Sequence, residues 1–160
     1  MARADLRDSL HKQVESSIAK GARLLCGGKP VDSKGAFYPP TVLTGVSEGM
    51  PAFDEETFGP VAPVVPFSTE EEAVTMANDS SFGLQAAVFT NDISRAFTIA
   101  DRLEVGGVIV NWSSALRSEN LPFGGTKMSG YGREGLHDTL DEMTEQKVIL
   151  VHNAFPASRP

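Results

Sequence analysis

Between Ser68 and Val110 the sequence alternates helix-type and strand-type apolar patterns, and that alternation limits the chain to an α/β arrangement. Ser68-Thr69-Glu70-Glu71 matches a capping box, a serine followed three residues later by a glutamate, and predicts a helix running through Asn78. Leu84–Thr90 reads as a buried strand. Asp92 can cap a second helix with the apolar stripe Ile93, Ala96, Phe97, Ala100 and Leu103, stopped by Gly106-Gly107. Val108-Ile109-Val110 follows directly as a strand. Helix, strand, helix, strand in this order predicts an α/β fold with a largely parallel sheet flanked by helices.

The flanks are read in the same way. Leu6, Leu10, Val14 and Ile18 repeat at i+4, so residues 5–20 are predicted to form an amphipathic helix with Asp5 as N-cap and Gly21 as its stop. Ala22–Leu25 is a short strand. Phe37–Val46 is extended, because Pro39 and Pro40 block helix and Thr41-Val42-Leu43 favours strand. Val61–Phe67 is a further extended run, placed at an irregular or edge position by Pro63 and Pro66. Residues 112–133 are loop-like, a short helix lies near 134–143, and Gln146–Val151 is a strand. The tail Asn153–Pro160 is predicted to be frayed.

Composition removes several functions. A net charge of −7 speaks against a nucleic-acid-binding surface, which needs a basic stripe, and against docking on an anionic membrane. No run approaches the roughly 20 apolar residues of a membrane span, and residues 1–7 carry no apolar signal core. The single cysteine, Cys26, cannot form an internal disulfide and suits a reducing cytoplasm. It reads as an inert buried residue, with no basic neighbour within two positions to stabilise a thiolate. His11, His137 and His152 are widely separated, and no cluster has metal-ligand spacing.

Three local motifs have both plain and functional readings. Gly130-Tyr131-Gly132-Arg133-Glu134-Gly135 spells G-x-G-x-x-G, but a dinucleotide loop needs a strand immediately before it. Here a long loop precedes it, and no acid about 20 positions later awaits a ribose, so the motif reads as a structural glycine loop. Asp54-Glu55-Glu56-Thr57-Phe58-Gly59-Pro60 is either a solvated acidic turn or a site where a carboxylate takes hydroxyls and Phe58 packs on a flat ring. Trp112 either lines a pocket or belongs to a core or interface.

Taken together these segments are more specific. Glu55-Glu56-Thr57-Phe58-Gly59-Pro60 resembles the E-E-x-F-G-P block of the aldehyde dehydrogenase superfamily. Pro122-Phe123-Gly124-Gly125-Thr126-Lys127-Met128-Ser129-Gly130-Tyr131-Gly132-Arg133-Glu134 resembles its P-F-G-G-x-K-x-S-G-x-G-R-E block. Ala77-Asn78-Asp79, Phe82-Gly83-Leu84, Ala87–Thr90 and Val108–Asn111 are similar to family segments in the expected order, so the resemblance covers about residues 3–151. Residues 2–8 together with His11-Lys12-Gln13-Val14 are similar to the NAD-type succinate-semialdehyde dehydrogenase branch.

The resemblance implies oxidation of an aldehyde to an acid with NAD or NADP. It implies that Glu56 binds the nicotinamide ribose, that Phe58 packs near the nicotinamide, and that Asn111, Trp112, Ser113 and Leu116 border the substrate tunnel. It divides the chain into a C-terminal part of the catalytic domain (1–145), an oligomerisation strand (146–152) that makes a homo-oligomer, and a disordered tail (153–160). The family's nucleophile lies in an N-x-G-Q-x-C-type segment and its general base in an E-L-G-G-type segment. Neither occurs here, and Cys26 in Leu24-Leu25-Cys26-Gly27-Gly28 does not match the first. With the phosphate-binding domain also missing, the chain is expected to carry no catalytic residue and no metal, to have no bound cofactor by itself beyond a weak residual affinity through Glu56 and Phe58, and to be inactive alone. The alternative is a non-catalytic protein that self-associates or joins full-length subunits.

Overall fold

The structure, a computed structural model, describes residues 1–152; the tail expected to fray lies outside the described residues. The chain divides into two compact units, Met1–Met76 and a second beginning at Ala77.

In the first unit, α1 spans Ala4–Ala19. Its buried face is Leu10, Val14 and Ser17, while Ile18 is exposed. The helix pitch explains the correction. Steps of i+4 drift by about 40° each, so three of them carry Ile18 roughly 120° away from Leu6, whereas Leu10, Val14 and Ser17 stay within one stripe. Arg3, not Asp5, occupies the N-cap and makes no side-chain cap bond. Asp5 sits in the first turn, where the Arg3 guanidinium grips it at 2.8 Å and holds its carboxyl below the usual range. Gly21 ends the helix as expected, with φ +113 and its N–H on the Ile18 carbonyl at 3.0 Å.

Three strands pack beside this helix. β1 (Arg23–Cys26) runs antiparallel to β2 (Thr41–Thr44), and β2 runs parallel to β3 (Val61–Val64). The sheet order β1-β2-β3 puts Pro63 on an edge strand, as its missing N–H requires. A four-residue helix not anticipated from the sequence, α2 (Pro51–Asp54), opens on a proline at its first position. Leu10, Val14, Ala22, Tyr38, Leu43, Val46, Met50 and Ala52 form the core. The buried Ser17 hydroxyl donates to the Gln13 carbonyl (2.8 Å) and accepts the Ala52 N–H (3.0 Å), so it ties α2 to α1.

Burial, with a smaller push from Glu15, raises the Tyr38 phenol above its ordinary value. Its hydroxyl lies 3.2 Å from His11 Nδ1. A raised folded value means that Tyr38 weakens the fold only in alkali. Its contribution is intact below the unfolded value of about 10 and is lost as the pH climbs through the folded one. The chain has two tyrosines, so Tyr131→Phe leaves Tyr38 as the only reporter. We expect tyrosinate absorbance to appear at higher pH in the folded variant than in urea; coincident midpoints would show that the ring is not shielded.

α3 (Glu70–Asn78) ends where predicted, but its cap lies one residue later than expected. Thr69 Oγ1 accepts the Glu72 N–H (3.2 Å), while Glu72 reaches back to the Ser68 N–H (2.7 Å). In the second unit, β5 (Gln85–Val88) and β6 (Gly107–Val110) pair in parallel, joined by α4 (Ile93–Arg102). Asp92 caps α4 as predicted, accepting the Arg95 N–H at 3.1 Å. Of the predicted stripe only Ala96 is fully buried; Ile93 and Phe97 are 65% and 71% exposed.

The stretch read as a strand, Leu84–Thr90, forms the shorter β5, and a further strand not anticipated from the sequence precedes it. Phe82–Gly83 forms β4, antiparallel to β7 (Thr126–Lys127), and β5 begins only after Leu84. The expectation of a largely parallel sheet is corrected: among the described residues three small sheets hold two parallel and two antiparallel ladders. α5 (Leu136–Met143) matches the predicted short helix. Gln146–Val151 forms no strand, because no edge among the described residues pairs with it, and Val148–Val151 stand 69–89% exposed. No helix is long and apolar enough to cross a membrane, and no metal-holding group of side chains occurs among the described residues.

Candidate cofactor contact and tunnel rim

Residues 54–60 form an arch held at both ends by α1. At the near end, α2 stops at Glu55, whose backbone turns extended (φ −113, ψ 151). Gln13 Nε2 donates to Glu55 Oε2 (2.8 Å) and to the Glu56 carbonyl (3.3 Å). At the far end, Gly59 lies against the Leu10 side chain, which a β-carbon there would have to displace. The Pro60 carbonyl then accepts the Thr41 N–H (2.8 Å) and leads into β3.

This geometry separates the three acids that spacing left equivalent. Asp54 Oδ1 accepts the Gly49 N–H (3.2 Å), and Glu55 is taken by Gln13. Among the described residues, no hydrogen bond or ion pair engages the Glu56 carboxylate, which is exposed at the crest. Phe58, two residues on, is 66% exposed. The arch therefore offers one uncommitted carboxylate and one open aromatic face, a pairing suited to hydroxyls beside a flat ring.

The predicted rim residues share one loop of the second unit. Asn111 has φ +58, and its side chain pairs with both backbone groups of Thr90, accepting the N–H (2.8 Å) and donating to the carbonyl (2.9 Å). Trp112 is 64% exposed, so it belongs to no core within this chain. Ser113 Oγ accepts the Ala115 N–H (3.2 Å), and its carbonyl accepts the Leu116 N–H (3.1 Å). Farther along, Arg117, Asn120, Leu121, Phe123 and Leu136 line an open depression of about 560 Å³ that residues 111–116 do not reach. The Arg117 guanidinium stacks over Phe123, 4.5 Å from its ring centre, and pairs with Glu134 at 2.8 Å. Sequence reasoning singled out neither Arg117 nor Gln13. For Arg117 a signal existed, since it is the only cation between Asn111 and Leu121.

The glycine-rich segment is occupied with holding itself together. Phe123 and Glu134 form a two-way backbone bridge, and Arg133 donates to the Gly125 and Gly132 carbonyls (2.9 and 2.8 Å). Lys127 donates to the Asn78 carbonyl (2.6 Å) and pairs with Glu104 (3.1 Å). Ser129 Oγ accepts the Gly83 N–H at 3.0 Å. These bonds fit a structural clasp. Cys26 is exposed, which corrects the expectation of a buried thiol: it sits on edge strand β1, where the register slips between Leu24 and Cys26.

Comparison with known proteins places the chain in a family. Residues 1–149 match the profile described as "Aldehyde dehydrogenase family". The succinate semialdehyde dehydrogenase (NAD(P)+) Sad of Escherichia coli K12 is 50% identical over 149 residues, covering 93% of this chain and 32% of that protein. A lactaldehyde dehydrogenase of Methanococcus maripaludis is 45% identical over 140 residues, covering 88% of this chain and 29% of that protein. The crystal structure of aldehyde dehydrogenase 21 from Physcomitrella patens, in complex with the reaction product succinate, superposes with a TM-score of 0.87 at 41% identity. That match covers 95% of this chain and 31% of the solved one. The chain thus spans about a third of the length of these relatives, and with nearly all of its own length matched it belongs to the aldehyde dehydrogenase family.

Proposed function

We propose that residues 1–145 act as the C-terminal part of the catalytic domain of an NAD(P)-dependent aldehyde dehydrogenase, with succinate semialdehyde as the aldehyde and succinate as the acid. The observation that carries this reading is the uncommitted Glu56 carboxylate beside the exposed Phe58 ring on one anchored arch. In this reading Glu56 accepts the hydroxyls of the nicotinamide ribose and Phe58 packs near the nicotinamide. Asn111, Trp112, Ser113 and Leu116 border the tunnel by which the aldehyde enters. NAD or NADP supplies the hydride acceptor, and this chain holds it weakly by itself because no phosphate-binding segment is part of its sequence. The 50% identical relative, by name a succinate semialdehyde dehydrogenase, supports the choice of substrate. The lone cysteine, which needs no oxidising compartment, supports a cytoplasmic setting.

Chemistry by this chain alone is not expected, since its sequence holds neither the nucleophile segment nor the base segment. A specific observation favours self-association alongside this reading. Val148–Val151 expose 69–89% of their surface and lack a ladder partner among the described residues, and Leu136, Leu140 and Met143 stand open on α5. In this reading residues 146–152 pair with a second subunit. One preparation of the 160-residue chain tests both statements. We expect no NAD(P)H absorbance with succinate semialdehyde and either nucleotide, and a light-scattering mass above that of one chain. Turnover would sink the first statement, and a clean monomer at high concentration the second.

A further inference from the structure

We infer that Gln13 is a positioning residue for the cofactor end of this site: it withdraws Glu55 and fixes where Glu56 is presented. The inference rests on the reading of Glu56 given above. Gln13 lies at the edge of the buried face of α1, one turn before Ser17. Two ties therefore run side by side between α1 and α2. Ser17 takes the Ala52 N–H at 3.0 Å, and Gln13 takes Glu55 at the end of α2. A primary amide offers two N–H donors on one nitrogen. Here Nε2 serves the Glu55 carboxylate at 2.8 Å and the Glu56 carbonyl at 3.3 Å. The second bond acts on the backbone of the very residue whose side chain is left uncommitted.

The chemistry calls for such a device. Asp54, Glu55 and Glu56 are adjacent and all exposed, so they repel one another and compete for the same hydroxyls. A neutral donor resolves the competition without adding a cation that would itself pair with Glu56. With Glu55 committed to Gln13 and Asp54 to the Gly49 N–H, only Glu56 remains for a ligand. The far anchor, Gly59 against Leu10, lies one α1 turn before Gln13, so the same helix sets both ends of the arch.

The test uses the full 160-residue chain with NAD+ at millimolar concentration, read by saturation transfer to the cofactor's protons, with the thermal midpoint recorded for each variant. We expect weak transfer in the parent and none in Glu56→Gln. Gln13→Leu keeps a branched side chain one atom shorter and removes both donors, and should weaken binding about tenfold, the scale of one hydrogen bond to a charged group. Gln13→Glu sets two carboxylates against each other and should lose at least as much. Adding Glu55→Gln to it reverses donor and acceptor, restores the side-chain tie but not the bond to the Glu56 carbonyl, and should recover part of the affinity, a pattern that a pure packing role does not produce. Binding unchanged in Gln13→Leu, with Glu56→Gln abolished, overturns the role of Gln13 and leaves Glu56 standing. No transfer in the parent, or none lost in Glu56→Gln, overturns the Glu56 reading and this inference with it. Should Gln13→Leu fail to fold, the swapped pair decides: a folded swap without recovered binding overturns the proposal.

Discussion

Alanine at position 106 should cost about 3 kcal/mol, the upper end of the usual range for overpacking. A β-carbon there would land on the Gly124 carbonyl and crowd the Leu84 carbonyl oxygen at 3.1 Å. Both obstacles are backbone, so neither can swing aside as a side chain would. Relief requires parting the start of β6 from the Pro122-Phe123-Gly124-Gly125 segment. Two bonds are then at risk: the Gly106 N–H to Gly83 (3.0 Å) and the Gly107 N–H to Leu84 (3.2 Å). The adjacent glycine is the control. A β-carbon on Gly107 meets only Gln85 side-chain atoms at 3.6 Å and beyond, an ordinary contact. We expect thermal melting to fall by about 6–12 °C in Gly106→Ala, at 2–4 °C per kcal/mol for a chain of this size. Gly107→Ala should stay within about 0.5 kcal/mol of the parent. Equal melting of the two variants would mean that the backbones at 106 and 124 do not touch.

Leu43→Ala should lose about 2–5 kcal/mol, because the site cannot collapse around the missing atoms. Leu43 is fully buried in the middle strand of its sheet, between β1 and β3, and belongs to the cluster that includes Leu10 and Val14. Removing three carbons there deletes transfer free energy and leaves a hole walled by both layers. Leu25 is the same residue type on edge strand β1, 52% exposed, and its alanine variant should change stability by less than about 1 kcal/mol. Urea unfolding separates the two: a lower midpoint with unchanged slope for Leu43→Ala, and near-identity for Leu25→Ala. Similar midpoints would contradict the assignment of the core.

Legibility in the sequence followed the range of the interaction. α4 and its Asp92 cap were readable because cap and helix lie within three residues of each other. The Thr69 cap was off by one because Ser68 and Thr69 can both cap, and three consecutive glutamates satisfy either register. Strand β4 was invisible, since it takes its partner from β7 more than 40 residues later. The exposed Ile93 and Phe97 show the limit of periodicity: it marks a face as apolar without saying what covers it. The site divided along the same line. The Glu56 and Phe58 block could be found as a pattern, but spacing could not rank three neighbouring acids. That ranking needed the bond from Gln13, 42 positions away from Glu55 in the chain.

Asn111 has a mechanical consequence for the substrate side. Its side chain closes two bonds on Thr90, as one more rung beyond the β5–β6 ladder would, while its own N–H bonds the Val88 carbonyl at 2.8 Å. Its positive φ bends the chain at that same point. The loop 111–116 is therefore held like a beam at both ends, rooted in the sheet at Asn111 and tied back to β5 at Leu116, whose carbonyl accepts the Gln85 Nε2–H at 3.3 Å. Glycine at 111 would keep the bend and lose the rung, so the beam would pivot where it is now built in. On the proposed function, an aldehyde passing this edge would meet a span fixed at Asn111 and again at Leu116.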